Sequence, residues 1–188
     1  MDFRRLFSRG KDCVILSKTI DEVCTMVIRK TRMEELDAMM ELYDGGRRWM
    51  RQNGNMNQWT GGYPSREQIT DDILSGNSYV VEENGEVLAV FYYIHGKDVE
   101  PTYAVIDGAW LDDEPYGVIH RIASSGKVPG MVQLCSDWAL EQWPILRIDT
   151  YQDNHPMQTA LGNSGFTRCG VIYLKDGSPR VAFQKNEK

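Results

Sequence analysis

Apolar residues recur along this chain at two spacings, one typical of strands and the other typical of helices. Residues 26–30 predict a short strand, and the pair Thr31 and Glu34 predicts a capping box that starts a helix. The apolar face of this helix consists of residues three or four positions apart: Met33, Leu36, Met39, Met40 and Tyr43. The adjacent glycines at 45–46 are expected to interrupt it.

A long connection with aromatic side chains separates this helix from the next one. Residues 47–64 contain glycines and asparagines together with three aromatic residues: Trp49, Trp59 and Tyr63. Ser65 and Gln68 predict a second capping box, and Gly76 marks the expected end of that helix. Three apolar residues should form its buried side: Ile69, Ile73 and Leu74.

The middle of the chain contains the clearest hairpin, with two strand-like runs over residues 78–94 around Asn84-Gly85. Residues 95–117 show little pattern, and residues 118–123 predict the next strand. A loop then leads into a helix that stops before Pro144. The apolar face of that helix again follows helical spacing: Met131, Leu134, Cys135, Trp138 and Ala139.

The last part of the chain adds a strand, a helix and a hairpin. Residues 145–150 alternate as a strand, and Asn154 lies where a helix N-cap belongs, with Pro156 in the first turn. Gly165 should end this helix, and the final strands turn at Asp176-Gly177. The predicted order, β-α-α-β-β-β-α-β-α-β-β, indicates an α+β (mixed α/β) fold with one central sheet.

Length and composition fit a single domain. The chain has 188 residues, of which 41% are hydrophobic and 26% charged, enough for one ordinary core. We expect this domain to span residues 26–188 and residues 1–25 to be an N-terminal extension outside the core fold. The apolar run at 13–16 is too short for a secretory signal, and the acidic residues around it argue against a transit peptide.

The charge and the cysteines narrow the expected partners. A net charge of −6 disfavours nucleic acid as a partner and would attract a small cation, although surplus acid also keeps proteins soluble. The four cysteines form no CxxC pair and no metal-like cluster with the three histidines. We therefore predict reduced thiols and a cytoplasmic location, with no metal and no membrane segment.

The stretch HRIASSGKVPGM, residues 120–131, passes from a predicted strand through small residues into a predicted helix. Such a turn exposes backbone N–H groups at the positive end of a helix, where anions bind. The spacing around Gly126 and Lys127 departs from a Walker loop, and a GxGxxG pattern is absent. From the loop alone, an anion site and a plain strand-to-helix connection are both open.

Three short motifs occur in order along the second half of the chain. Residues 125–130 match a loop of the type R-G-x-G-x-G/A, with Ser125 in place of the Arg and Val128 in place of the middle Gly. Asn154 follows the next strand, and Gly165-Phe166 end a segment of the type A-x-Y-x-x-x-G-F. In this order and at these separations, the motifs resemble those of the GNAT superfamily of acyl-CoA-dependent N-acetyltransferases.

The resemblance covers residues 26–185 and implies a GNAT-like fold, a central twisted mixed sheet with helices on both faces and splayed strands at the cofactor site. It implies acetyl-CoA as the co-substrate. An open strand edge beside a bulge suits this ligand, because the two amides of pantetheine can bond to such an edge. The expected cofactor-binding residues are Ile122, Ala123 and Ser124 for the arm, then Ser125, Gly126, Lys127, Val128, Pro129, Gly130 and Met131 for the pyrophosphate. Asn154 is expected to cap its helix, to contact CoA, or to do both.

The implied reaction is direct transfer of an acetyl group to a primary amine of a small molecule or peptide. Such an amine arrives protonated at neutral pH, so a base must take a proton. His120 is the candidate base, because it precedes the cofactor-binding backbone; a structural histidine is the alternative. If the strand alternates, His120 shares a face with Ile122 and lies opposite Arg121.

Other roles are more open. Glu114 is a second candidate base, with a solvated acidic turn as the alternative. The family's frequent proton donor, a tyrosine, is Leu161 here, which leaves Tyr173 as a candidate and a weak or inactive acyl-CoA-binding module as the alternative function. Three aromatic residues should border the amine or serve only as packing anchors: Trp49, Trp59 and Trp110. A homodimer is an expectation from the family.

Overall fold

The computed structural model describes residues 3–5, 13–19 and 22–187, with side chains described from Met26 to Glu187. Its strands are Phe3–Arg5 (β1), Cys13–Thr19 (β2), Glu22–Lys30 (β3), Ser78–Glu83 (β4), Glu86–Gly96 (β5), Ile106–Gly108 (β6), Tyr116–Ser124 (β7), Ile145–Thr150 (β8), Thr167–Tyr173 (β9) and Pro179–Asn186 (β10). Its helices are Leu36–Gln52 (α1), Arg66–Leu74 (α2), Met131–Gln142 (α3) and His155–Asn163 (α4). Short 3-10 turns lie at Met33–Glu35 and Pro101–Ala104.

The described strands form one mixed sheet in the order β1-β2-β3-β4-β5-β7-β8-β10-β9-β6. Among them, β7 and β8 are the one parallel pair. Helices α3 and α4 cover one face, where Trp138 and Leu161 lie in a core with Phe91. Helices α1 and α2 cover the other face, where Tyr43 and Ile69 are buried. These layers confirm the predicted α+β class with helices on both faces.

The predicted extension over residues 1–25 lies partly outside the described residues. In its described segments, β1 pairs with β2 and β2 pairs with β3, at one edge of the sheet. The strand β3 begins before Met26, where the predicted domain starts. The division into an extension and a domain at 26–188 stays a prediction. Among the described residues, no helix combines the length and apolar character needed to cross a membrane.

The first helical segment starts differently from the prediction. Arg32, not Thr31, caps the 3-10 turn that leads into α1, and its N–H donates to the Glu35 carboxylate at 2.8 Å. The Thr31 hydroxyl is instead 2.8 Å from the buried hydroxyl of Ser78 on β4. Because the N-cap is Arg32 and its partner is Glu35, the capping box predicted at Thr31 and Glu34 is wrong.

The cap at Ser65 and the predicted hairpin turn are confirmed. Ser65 Oγ accepts a hydrogen bond of 3.2 Å from the Gln68 N–H at the start of α2, but the Gln68 side chain donates to Asp72, so only half of the predicted capping box forms. Asn84 and Gly85 both have positive φ angles, 52° and 83°, as a primed hairpin turn requires. Leu74, predicted to be buried, is 73% exposed and is the last residue of α2.

The adjacent glycines do not interrupt α1, which continues to Gln52. A Cβ on Gly46 would lie 3.2 Å from the Trp59 ring and 3.8 Å from the Ala123 Cβ. A Cβ on Gly45 would meet only the flexible end of Arg48, at 4.0 Å. Gly46 therefore allows the helix to pack against the indole of Trp59, whereas Gly45 has no such neighbour.

This difference predicts unequal effects of two neighbouring substitutions on stability. We expect Gly45→Ala to stabilise the protein by about 0.5–1 kcal/mol, because alanine loses less backbone entropy in a helix. Gly46→Ala should gain less or lose stability, because its methyl group displaces the Trp59 ring. Urea unfolding of both variants measures the difference. Equal stabilisation would contradict the packing of Trp59 against Gly46.

Candidate active site

The strands β7 and β8 diverge near the centre of the sheet. Their parallel ladder has two rungs, the second of which joins Val118 to Arg147. Beyond it, residues 119–124 of β7 have no partner among the described strands on the side of β8. A cleft of about 1930 Å³ opens there, lined by β7, by the end of β8 and by the loop 125–130. The splay expected at the cofactor site is present.

A bulge in β7 adjoins the opening. The register of β7 against β5 shifts after Val90, so Arg121 and Ile122 share one opposite residue. Arg121 has a φ of 53°, a left-handed conformation that is rare for residues with a side chain. Ile122 packs on the α3 face, whereas His120 and Arg121 lie with Tyr92 on the opposite face. The alternation predicted for His120 and Ile122 is therefore wrong.

An ion pair with α2 anchors this bulge. Arg121 Nε and Nη2 each donate at 2.9 Å to the Asp72 carboxylate. The two side chains are only 10% and 6% exposed. Burial raises the pKa of Asp72, an effect that the charge of Arg121 opposes. Because the bidentate contact is charge-assisted and shielded from water, it offsets the strain of the left-handed backbone.

The loop after β7 presents backbone donors to the same cleft. The Ser125 N–H is already bonded, since it donates to Leu88 O at 2.8 Å. The N–H groups of Gly126, Val128 and Gly130 donate no hydrogen bond within the described part of the chain. Gly130, with a φ of 83°, precedes α3 and has no side chain to cap the helix. These free donors and the positive end of α3 favour an anion.

His120 lies in the cleft between two carboxylates. Its Nε2 is 3.0 Å from Glu100 Oε2, and its Nδ1 is 3.6 Å from Asp149 Oδ1, too far for a hydrogen bond. Because a carboxylate only accepts, the neutral ring carries its hydrogen on Nε2 and keeps a lone pair on Nδ1. Thr102 donates to Glu100 through its N–H and hydroxyl, at 3.1 and 2.7 Å. Buried Tyr103 donates to Asp149 at 2.7 Å.

Comparison with known proteins identifies the family. An acetyltransferase of the GNAT family from Streptococcus agalactiae is 35% identical to this chain, with a TM-score of 0.78. The alignment covers 87% of this chain and 96% of that one. This chain belongs to the GNAT family. No family model and no curated protein matched it.

More distant structures share the GNAT fold of this protein. An acetyltransferase described as putative, from Staphylococcus aureus, is 24% identical with a TM-score of 0.63, over 86% of this chain and 99% of the other. The aminoglycoside acetyltransferase AAC(6')-Ib, solved with coenzyme A and kanamycin, is 18% identical with a TM-score of 0.57. That alignment covers 86% of this chain and 94% of the other. At these identities the likeness shows the fold alone.

The cleft of this GNAT protein contains most of the predicted site residues but not all. It is lined by the following predicted residues: Trp49, Trp59, His120, Ile122, Ala123, Ser124, Ser125, Gly126, Lys127, Val128, Pro129, Gly130, Met131 and Asn154. Glu114 is exposed in a loop where its N–H bonds Asp112, and it does not line the cleft. Tyr173 is half exposed at the end of β9, also outside the lining. Trp110 does not line the cleft, and its ring stacks on the guanidinium of Arg147.

The predicted cap at Asn154 is confirmed. Its Oδ1 accepts from the Met157 N–H at 3.2 Å, at the start of α4. Its Nδ2 donates to Gln58 Oε1 at 2.8 Å, and Gln58 also accepts from the buried Asn55. Asn154 therefore joins α4 to the connection between α1 and α2. A role in binding CoA stays a prediction.

Two carboxylates of the cleft escaped the sequence reasoning. Asp149 is a polar residue inside an alternating strand, on the face opposite Ile148, which was a usable signal. Glu100 lies in residues 95–117, where the apolar residues show little pattern. The one sequence feature that marks it is its position before Pro101, where it caps the 3-10 turn. No cluster suited to a metal ion occurs among the side chains that the structure describes.

The contacts of Glu100 predict a dependence of stability on pH. Burial raises its pKa, but hydrogen bonds from His120 and Thr102 prevail and lower it to about 2, from an ordinary 4.5. A carboxyl with a lowered pKa stabilises the folded state above its unfolded pKa and loses that effect as pH falls towards the folded value. We therefore expect wild type to exceed Glu100→Gln in unfolding free energy above about pH 5, with the difference vanishing near pH 2.

Urea unfolding between pH 2 and pH 7 measures this difference. Glu114→Gln is the matched control, because Glu114 is exposed and outside the cleft, and it should match wild type throughout. A difference between wild type and Glu100→Gln that did not change with pH would contradict the assigned hydrogen bonds.

Proposed function

We propose that this GNAT protein transfers an acetyl group from acetyl-CoA directly to a primary amine of a small molecule or peptide. The observation that carries the proposal is the open edge of β7, which meets the free N–H groups of the loop in the same cleft as His120. An open strand edge can bond the two amides of pantetheine, and free N–H groups at a helix start can bond pyrophosphate. The chain thus offers donors for both parts of CoA.

The residues that would hold acetyl-CoA are those of the bulge and the loop. Residues 122–124 would bond the arm through the backbone, and residues 125–131 would surround the pyrophosphate. Lys127, which is exposed and paired with Glu86, could add a positive charge to that end. When bound, acetyl-CoA supplies the activated acetyl group. A backbone N–H at the bulge could stabilise negative charge on the acetyl oxygen.

The neighbourhood of His120 suits an amine. Two carboxylates, those of Glu100 and Asp149, attract a substrate that arrives as an ammonium ion. The Nδ1 lone pair of His120 would accept the proton, and Glu100 would stabilise the resulting imidazolium. Because the 3.6 Å between Nδ1 and Asp149 Oδ1 is too long for a hydrogen bond, the Nδ1 lone pair stays available to accept this proton directly or through a water.

One observation favours a second candidate, an acyl-CoA-binding module with little or no turnover. Leu161 occupies the position where the family often has a tyrosine, and it is fully buried in the core. Tyr173, the substitute considered from the sequence, does not line the cleft. The thiolate of CoA would then leave without this donor, which is feasible because a thiolate is only a weak base, the pKa of its thiol being about 8.5.

Acetyl-CoA-dependent stabilisation and thiol release separate the candidates. Thermal unfolding is measured with acetyl-CoA, and release of CoA thiol is followed with a panel of polyamines, aminoglycosides, amino acids and lysine peptides. Stabilisation with thiol release supports the transferase, and stabilisation without release across the panel supports the binding module. No stabilisation at millimolar acetyl-CoA rejects both. A cytoplasmic location, a possible homodimer and the absence of a nucleic-acid, membrane or metal partner stay predictions.

A further inference from the structure

Two buried hydroxyl groups lack a hydrogen-bond partner in the part of the chain that the structure describes. They belong to Thr150 and Ser136, and Thr150 is only 1% exposed. Buried polar groups in folded proteins are almost always bonded, because a hydroxyl withdrawn from water without a partner destabilises the fold. Each orphan hydroxyl therefore requires an explanation.

The two hydroxyls differ in their surroundings. Thr150 is the last residue of β8 and lines the cleft, directly after Asp149, whose carboxylate faces His120. Its backbone is paired with Val181 of β10, so the side chain is held in place. Ser136 lies within α3 and is fully buried, outside the lining of the cleft. Of the two residues, only Thr150 lines the cleft.

We propose that the Thr150 hydroxyl forms a hydrogen bond with the arm of acyl-CoA, which makes Thr150 a substrate-binding residue at the reaction end of the cleft. This inference rests on the proposed function. The arm carries amide and thioester groups, and a hydroxyl can donate to their oxygens or accept from an amide N–H. A group that is unsatisfied in the free protein and bonded in the complex adds its hydrogen bond to the affinity.

Thr150→Val removes the hydroxyl and keeps the shape of the side chain. We expect its dissociation constant for CoA, measured by calorimetry, to rise about tenfold. Without CoA its thermal midpoint should equal or exceed that of wild type, because the unsatisfied group is gone. Thr150→Ser, which keeps the hydroxyl, should bind CoA within about twofold of wild type. Thr150→Ala is a second variant that should lose the same affinity as Thr150→Val.

Ser136→Ala is the matched control, since it removes the other orphan hydroxyl away from the cleft. It should leave the CoA dissociation constant unchanged. Equal CoA affinity of Thr150→Val and wild type would overturn the inference and would fit a hydroxyl satisfied by a bound water. If wild type itself failed to bind CoA, the proposed function would fail, and this inference with it. The two failures are distinguishable, because wild type binds CoA in the first case and does not bind it in the second.

Discussion

Replacing His120 with alanine is expected to lower kcat/KM for acetyl transfer by about 10²–10⁴-fold, the usual contribution of a general base. His120 lines the cleft between Glu100 and Asp149, and its Nδ1 makes no hydrogen bond within the described residues. CoA affinity should stay within about twofold of wild type, because the main-chain donors of the loop are unchanged. Steady-state kinetics across pH 5 to 10, together with calorimetry, measure both quantities.

His95→Ala is the matched control for this experiment. His95 lies on β5 opposite Gly117 of β7, stacks on Trp143 and does not line the cleft. We expect wild-type kcat/KM from this variant at every pH. If His120→Ala also kept full turnover at every pH, His120 would be a structural histidine, and the role of base would pass to Glu100 or Asp149.

Replacing Asp72 with alanine should lower the free energy of unfolding by about 3–5 kcal/mol, as is usual when one partner of a buried ion pair is removed. The guanidinium of Arg121 would stay buried beside Tyr92 without its two hydrogen bonds to Asp72, keeping only the one to the Tyr63 hydroxyl. The left-handed backbone at Arg121 would lose its anchor, so the bulge should relax towards regular pairing with β5. We therefore expect weaker binding of CoA as well.

Denaturant unfolding and CoA titration of the same variant test both parts. Glu82→Gln is the control, because it removes the negative charge to which the part-buried Arg29 donates two hydrogen bonds, and Glu82 does not line the cleft. It should lose stability without losing CoA affinity. Full CoA affinity in a destabilised Asp72→Ala variant would mean that the bulge persists without the ion pair.

The features that were predictable from the sequence depend on residues close together in the chain. The cap at Ser65 and the turn at Asn84-Gly85 each involve at most four consecutive residues, whose side chains or φ preferences determine the local backbone. The same holds for the cap at Asn154. The strand, glycine loop and helix over 120–131 form a local motif of the same kind, so the sequence indicated where an anion could bind.

The tertiary structure decided what faces the cleft. Alternating side chains predict which face of the sheet each residue lies on only while the strand pairing is regular. The bulge at Arg121 interrupts this pairing, and it depends on contacts with β5 and α2, which are distant in sequence. Glu100 reaches His120 across 20 positions, and Gly46 is explained by Trp59 from another segment. Such contacts form only when the chain folds back on itself. The sequence by itself therefore determined the helices, most of the strands and the resemblance to the GNAT family, and packing between distant segments determined which side chains could act together.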